Sequence, residues 1–180
     1  MTPEDLVEIR EIEQLKYRYL RCVDLKLWSE LETVLTEDAR ASYGGGAYAF
    51  EGRTQILDFL VATMSSSDVL TSHKCHHPEI TLAPDGLRAT GIWALDDVVV
   101  QQQHDVTIRG AAYYDDAYVK VDGRWLISVT GYRRVYEELF PRASVAGLKV
   151  TGDYWSTDGR SRLGGAAVVA SAASAQAGRT

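Results

Sequence analysis

The sequence contains little cysteine, with Cys22 and Cys75 as the two thiols of a 180-residue chain. Two cysteines so far apart cannot build a disulfide framework, and they lack the paired spacing of a zinc site. We therefore expect two buried thiols in a reducing compartment. The histidines at positions 73, 76 and 77 do not change this expectation, because no Cys, His or Glu set completes a tetrahedron around them. The sequence predicts no metal.

Long apolar runs are also missing, and no stretch approaches the ~20 residues of a membrane span. The first segment, MTPEDLVEIR, is acidic and has no apolar core of a signal peptide. Basic residues do not cluster, and the formal net charge is −6. An acidic chain has no electrostatic reason to bind nucleic acid or anionic lipid. We expect a cytoplasmic protein with no nucleic-acid partner and no membrane partner.

The motifs of several common enzyme classes are absent. The sequence has no Gly-x-Gly-x-x-Gly, P-loop, Gly-x-Ser-x-Gly or Cys-x-x-Cys. Nucleotide-dependent and serine-hydrolase chemistry therefore lack the residues that they need. The prediction is a protein that works without a cofactor.

Hydrophobic periodicity predicts helices first and strands later. The first helix is capped at Thr2 and runs to about Leu25, a second begins at a capping box at Ser29, and a third is capped at Thr54. Predicted strands cover residues 39–43, 48–50, 72–82, 87–102, 106–121 and 124–136, with a hairpin turn at Asp122-Gly123. This order predicts an α+β fold with helices on one face of a curved sheet.

The composition divides the chain near residue 140. Residues 1–140 form the predicted α+β domain. Residues 141–180 are rich in Gly, Ala and Ser, which indicates an extension that folds back in part and has a disordered end.

Asp24 and His73 are the first candidates for acid–base chemistry. Asp24 lies at the rim of the apolar stripe of the first helix, where a carboxylate needs a partner. Strand alternation directs His73 and His77 inward, and Lys74 and His76 outward. An inward histidine is a natural proton carrier near neutral pH.

Other polar residues interrupt apolar strands. One of Asp96 and Asp97 must face the interior, where a histidine is the expected partner, unless an edge or bulge exposes both. One of Arg133 and Arg134 also points inward, with a salt bridge to Asp115 or Asp116 as the structural alternative. Tyrosines are numerous, and most are expected in the core or at a pocket rim: Tyr17, Tyr19, Tyr43, Tyr48, Tyr113 and Tyr114.

Four segments resemble, in their order, the SnoaL-like branch of the NTF2-like superfamily. The resemblance covers roughly residues 5 to 138. The segments are residues 11–24, residues 50–53, the His73-x-x-x-His77-Pro78-x-Ile80 pattern before Asp85-Gly86, and residues 122–127. The resemblance implies an NTF2-like, or cystatin-like, fold: a cone-shaped, curved antiparallel or mixed sheet around helices packed on one face.

Within this superfamily the sequence is most similar to the group of scytalone dehydratase, bile-acid 7α-dehydratase and hexachlorocyclohexane dehydrochlorinase. The group shares an Asp late in the first helix and a His on the strand after the third, here Asp24 and His73. The resemblance further implies Tyr19 and Arg133 as catalytic partners. The expected substrate-binding residues are Tyr43, Tyr48, His77, Trp93, Asp97 (or Asp96) and Tyr113.

The predicted function is that of a cofactor-independent lyase, dehydratase-like, acting on a small hydrophobic cyclic substrate such as a steroid, terpenoid or polyketide. An isomerase or cyclase with the same Asp–His pair is one alternative. A non-catalytic small-molecule-binding or assembly module is the other. The resemblance also implies a homo-oligomer, either a trimer or a dimer.

Overall fold

The computed structural model describes residues 1–163, and the chain divides into two compact units after Arg142. The first unit holds three α-helices: α1 (Pro3–Asp24), α2 (Trp28–Glu32) and α3 (Arg53–Met64). Its six strands are β1 (Leu35–Tyr43), β2 (Tyr48–Glu51), β3 (Val69–Leu82), β4 (Arg88–Gln101), β5 (Val106–Val121) and β6 (Arg124–Pro141).

The strands of the first unit form one mixed sheet in the order β2-β1-β6-β5-β4-β3. Neighbouring strands are antiparallel, except that β1 runs parallel to β6. Helix α1 packs against β3 and β6, and α3 packs against β1. The predicted α+β architecture is therefore confirmed.

The start of α1 follows from its sequence. The Thr2 hydroxyl accepts a hydrogen bond from the Asp5 backbone N–H at 3.2 Å, and the Thr2 N–H donates to the Asp5 carboxylate at 2.6 Å. These bonds satisfy backbone donors that a helix end leaves open, so the predicted cap is confirmed. Among residues 1–163, no helix combines the length and apolar character needed to cross a bilayer.

The predicted caps of the two shorter helices are wrong. Ser29 and Thr54 lie inside α2 and α3, and the cap positions are held by Leu27 and Gly52. Gly52 has a φ of 92°, a backbone conformation that residues with a Cβ rarely adopt. This tight turn, formed by glycine, starts α3 one residue before its predicted cap.

The β5–β6 hairpin confirms the strongest turn prediction. Asp122 and Gly123 have φ values of 50° and 77°, both left-handed, as a two-residue turn between twisted strands requires. Strand β6 continues beyond the predicted residue 136, because its end pairs with β5 up to the contact between Val106 and Pro141.

The core lies between the helices and the inner face of the sheet. Ile12, Leu31, Ile56, Trp93 and Ile127 are completely buried there. Both cysteines are free thiols; Cys22 is buried and Cys75 is half-buried, so the prediction of two buried thiols holds fully for Cys22 alone.

The second unit is described up to residue 163. Its turn centres on Asp153, whose carboxylate accepts hydrogen bonds from the backbone N–H groups of Trp155 at 2.9 Å and Ser156 at 2.6 Å. The disordered end predicted for the chain lies at residues 164–180, outside the described residues.

Candidate active site

Asp24 and His73 are in direct contact. The His73 Nδ1 atom lies 2.6 Å from Asp24 Oδ1, and the His73 backbone N–H donates to Asp24 Oδ2 at 2.9 Å. The Thr71 hydroxyl donates to Oδ1 at 2.8 Å. Three donors therefore fix the carboxylate, and the carboxylate fixes the imidazole ring.

The end of α1 and the start of β3 bring this pair together. Asp24 is the last residue of α1, and the Lys26 ammonium group just beyond it donates to the carbonyls of Met64 at 2.5 Å and Val69 at 2.9 Å. Lys26 thereby ties the end of α1 to α3 and β3. The side chains of Asp24 and His73 are 20% and 10% exposed, so the pair is largely shielded from water.

The environment of Asp24 favours its charged form. Burial raises the pKa of this carboxyl, but the hydrogen bonds from the His73 ring, the His73 backbone and Thr71 lower it further, so the net pKa lies below the ordinary value. Because an ionised carboxylate can only accept hydrogen bonds, His73 Nδ1 must carry a proton here. The other ring nitrogen, Nε2, is then the basic one.

His73 lines a cavity of about 340 Å³ with a largely apolar wall. Its aromatic part includes Tyr43, Tyr48, Phe59, Tyr114 and Tyr132, and aliphatic side chains of α1, α3, β4 and β5 complete it. The aromatic rings contact one another, with centroids 5.3 Å apart for Tyr48 and Phe59 and 5.5 Å apart for Tyr114 and Tyr132. Such a wall suits a flat, apolar ring.

Two hydroxyl groups supply polar contacts in this wall. The hydroxyls of Tyr19 and Tyr43 lie 2.8 Å apart, and both residues line the cavity. Burial raises the pKa of Tyr19 and of Tyr43, so both phenols stay protonated near neutral pH. One hydroxyl donates to the other, which leaves one hydrogen available to a ligand.

An ion-pair group of three side chains begins beside His73 and extends along the sheet, since Asp97 pairs with His73 in the register of β3 and β4. The Arg134 guanidinium binds both carboxylate oxygens of Asp97 through Nη1 and Nη2, the second bond at 3.0 Å. Its Nε lies 3.0 Å from a carboxylate oxygen of Glu137. Arg134 and Glu137 line the cavity, and Asp97 is buried behind them.

A second polar cluster is buried beyond Tyr114. Lys16 Nζ lies 2.7 Å from Asp116 Oδ2, and both side chains are fully buried. Asp116 also accepts hydrogen bonds from Thr130 and Tyr118, each at 2.8 Å. The Lys16 ammonium lies 3.3 Å from the centre of the Tyr114 ring, a cation–π contact with the cavity wall.

The structure places several predicted site residues at the cavity. His73, Tyr19, Tyr43 and Tyr48 line it, and Asp24 contacts it through His73. Asp97 faces inward while Asp96 is exposed, but the partner of Asp97 is Arg134 rather than the expected histidine. The alternative of a salt bridge from this arginine pair to Asp115 or Asp116 is not found in the described part of the chain, since Arg134 pairs with Asp97 and Glu137, and Asp116 pairs with Lys16.

Arg133 points away from the cavity, so the arginine predicted for the site is the wrong one of the pair. Trp125 and Ile127 of β6 face inward, and simple alternation would continue to Arg133. The pairing of β5 with β6 shifts between Ala117 and Tyr118, which leaves Ser128 as an extra residue in β6. This bulge reverses the alternation and turns Arg134 inward.

His77, Trp93 and Tyr113 are also placed away from the cavity. A bulge between His76 and Glu79 gives His77 a φ of 31° and exposes it to solvent. Trp93 is completely buried and donates through Nε1 to the Tyr118 hydroxyl at 2.8 Å. Tyr113 is 51% exposed because it alternates with the inward Tyr114.

Sequence reasoning missed several residues at or near the cavity, and four of them carry charge or aromatic rings. Lys16 shares the apolar stripe of α1 with Ile12 and Tyr19, a signal that could have found it. Phe59 is on the predicted apolar face of α3. Tyr132 and Glu137 depend on the two bulges of β6, which leave no local mark in the sequence.

The fold and this site belong to a known class of protein. Residues 4–130 match the family model of the SnoaL-like domain. Since the match spans more than half of the chain, the protein belongs to the SnoaL-like family of the NTF2-like superfamily. The predicted resemblance is confirmed.

Solved structures with similar folds include a candidate scytalone dehydratase from Novosphingobium aromaticivorans. It is 24% identical with a TM-score of 0.71 over 77% of this chain and 91% of its own. LinA is 19% identical with a TM-score of 0.70 over 83% and 97% of the two chains. The LinA-type3 hexachlorocyclohexane dehydrochlorinase from Novosphingobium barchaimii is 20% identical, with a TM-score of 0.66 over 83% and 97%.

Within residues 1–163, no group of three or more His, Cys, Asp and Glu side chains is placed to hold a metal ion. The polar groups at the cavity include the imidazole of His73, the tyrosine hydroxyls, the ion-pair group, the Thr63 hydroxyl and the Gln101 amide. What this arrangement offers is a base, hydroxyl donors and an apolar wall.

Proposed function

We propose that this protein is a cofactor-independent lyase, dehydratase-like, that acts on a small hydrophobic cyclic substrate with Asp24 and His73 as its acid–base pair. The observation that carries the proposal is the 2.6 Å contact between His73 Nδ1 and Asp24 at the edge of an aromatic cavity. The dehydratase and dehydrochlorinase names of structural neighbours support the same reaction class.

In the proposed reaction, His73 Nε2 takes a proton from a carbon of the substrate. The electron pair of that C–H bond forms a double bond, and the C–O bond at the neighbouring carbon breaks. The imidazolium then gives its proton to the departing oxygen, so that water leaves and His73 returns to its starting form. Asp24 stabilises the imidazolium between these two steps through Nδ1.

The hydroxyl pair of Tyr19 and Tyr43 would stabilise negative charge on a substrate oxygen. One of their hydrogens remains available for a ligand, and the buried setting strengthens such a bond. The role expected for Arg133 passes to Arg134, because Arg133 faces away from the cavity. Arg134 still has N–H groups that Asp97 and Glu137 do not use.

The cavity volume sets the size of the substrate. A volume of about 340 Å³ lies at the low end of the ~300–1,000 Å³ range of small-molecule pockets. We therefore favour a compact terpenoid-sized or polyketide-sized compound with one or two rings over a steroid.

The test uses one- and two-ring β-hydroxyketones incubated with the protein and followed by mass spectrometry. Loss of water supports the lyase, and a product of unchanged mass indicates an isomerase instead. We expect His73→Ala and Asp24→Asn to lower turnover by about 10²–10⁴-fold. The matched control is His76→Ala, an exposed histidine on the same strand.

Thermal unfolding separates chemistry from folding in these variants. Turnover should fall in His73→Ala and Asp24→Asn while both variants stay fully folded at the assay temperature, even though the loss of the Asp24 charge lowers the unfolding midpoint of Asp24→Asn. Equal turnover in His73→Ala and the His76→Ala control would contradict the proposal. Binding of the compounds without any turnover would favour the non-catalytic module.

A further inference from the structure

A straight row of inward positions crosses four strands of the sheet. His73 of β3 pairs with Asp97 of β4, Asp97 with Gly110 of β5, and Gly110 with Glu137 of β6. Paired residues share a face, so all four positions face the cavity side. With neighbouring strands ~4.8 Å apart, His73 and Glu137 are separated by about 14 Å measured along the sheet. The row therefore defines two ends of the cavity.

Glu137 reaches this row because of the second bulge in β6. The β5–β6 pairing shifts between Ala111 and Ala112, which makes Val135 an extra residue and places Arg134 and Glu137 on one face. Opposite them, Gly110 leaves the space that they need. A Cβ at position 110 would lie 2.6 Å from the Tyr136 carbonyl and 3.1 Å from Arg134 Nη1.

The charge at this end of the cavity is negative. Arg134 is neutralised by Asp97, which is 3% exposed and holds both Nη atoms. Glu137 is 52% exposed and lines the cavity, so its charge is the excess one. At the other end the Asp24 carboxylate balances His73 even when the imidazole is protonated. Among the described residues that line the cavity, neither end offers a substrate carboxylate a positive charge that is not already paired.

We propose that Glu137 is a specificity residue that accepts a hydrogen bond from a hydroxyl or ammonium group at the end of the substrate far from His73. It rejects carboxylates by like-charge repulsion. The proposal rests on the proposed function in one respect, the placement of the reacting carbon at His73. The preferred substrate is then a neutral or cationic one- or two-ring compound, not an acid.

The experiment measures binding to the full-length protein by calorimetry with three naphthalene probes of closely similar size. The probes are 1-naphthylmethylamine, 1-naphthylmethanol and 1-naphthoic acid, which are cationic, neutral and anionic at pH 7. We expect the amine to bind most tightly and the acid least. In Glu137→Gln the ratio of amine to acid affinity should fall by about tenfold.

The matched control is Glu138→Gln, which removes the same charge from the next residue. Glu138 is exposed and binds Arg109 Nε at 2.7 Å outside the cavity. Its affinity ratio should match that of the parent protein. Glu137→Lys provides a second variant and should reverse the order of amine and acid.

Two results would overturn the proposal. One is tight binding of naphthoic acid to the parent protein, equal to that of the amine. The other is an equal change in Glu137→Gln and Glu138→Gln, which would assign the effect to net charge alone. These binding results do not depend on the water-loss assay. The proposal for Glu137 and the proposed lyase activity can therefore be contradicted separately.

Discussion

Lys16 and Asp116 form an ion pair whose side chains have no solvent exposure. Removing water from two charges is costly, and their attraction offsets this cost when hydrogen bonds satisfy the remaining atoms. Here the hydroxyls of Thr130 and Tyr118 donate hydrogen bonds to the Asp116 carboxylate, and the Tyr114 ring lies against the Lys16 ammonium. The pair therefore holds together the inner face of the sheet behind the cavity wall.

A double-mutant cycle tests this pair. Lys16→Met leaves a buried carboxylate without its countercharge, and we expect the free energy of unfolding to fall by about 3–5 kcal/mol. The double variant Lys16→Met with Asp116→Leu should lose less than the sum of the two single changes, since no charge is left buried. Urea unfolding of the four proteins measures both quantities. Strictly additive losses would contradict the coupling.

The contacts around Asp24 and His73 also belong to the residue scale, because each depends on the direction of a single side chain. The sequence indicated Asp24 because a carboxylate at the rim of an apolar stripe needs a partner. It could not indicate that Thr71 and the His73 backbone also donate to that carboxylate, because Thr71 follows Asp24 by 47 residues.

At the scale of elements, bulges decide which side chains reach the cavity. In β3 the bulge between His76 and Glu79 places His77 outside the alternation that predicted it inward. Pro78 lies in this irregular stretch. Proline has no backbone N–H to donate, and here the regular hydrogen bonding between β3 and β4 is already interrupted. Left-handed backbone at His77 is unfavourable for a residue with a Cβ.

Glycine substitutions at the two neighbouring histidines test this strain. His77→Gly should raise the free energy of unfolding by up to about 1 kcal/mol, because glycine adopts positive φ without steric cost. His76→Gly should lower it by about 0.5–1 kcal/mol, since His76 is in regular strand. Chemical denaturation of the two variants gives the signs. Destabilisation in both would mean that position 77 is not strained.

At the scale of the whole molecule, four carboxyl groups have lowered pKa values, which link the stability of the fold to pH. Hydrogen bonds lower the pKa of Glu8 through Lys120, of Asp85 through Leu87 and of Asp153 through Ser156. The fourth carboxyl is Asp24, whose pKa is lowered by His73 and Thr71 against the effect of burial. A carboxyl with a lower pKa in the folded state stabilises the fold above its unfolded value of ~4. That stabilisation disappears as the pH falls through the folded pKa.

The Asp24 contribution can be isolated by its pH dependence. We expect the difference in unfolding free energy between the parent protein and Asp24→Asn to be largest above about pH 4 and to shrink as the pH falls. Urea midpoints measured from pH 6 to pH 2.5 give this difference. A gap that stays constant through this range would show that the Asp24 charge does not stabilise the fold.

Assembly is the other property of the whole molecule that the sequence led us to expect. A trimer or dimer stays a prediction. Large apolar side chains are exposed on β6 of the first unit, where Val135, Tyr136 and Leu139 are each more than half exposed. A second copy of the chain covering such residues would remove apolar surface from water.

The sequence by itself determined the local elements and the residue types of the site. The Thr2 cap, the Asp122-Gly123 hairpin and the long strands follow from short-range propensity, and family resemblance pointed to Asp24 and His73. Tertiary structure alone decided that Arg134 rather than Arg133 faces inward, that His77 faces outward, and that Glu137 joins the cavity. The physical reason is register: one extra residue in a strand turns every following side chain to the other face, and pairing with distant strands fixes where it occurs.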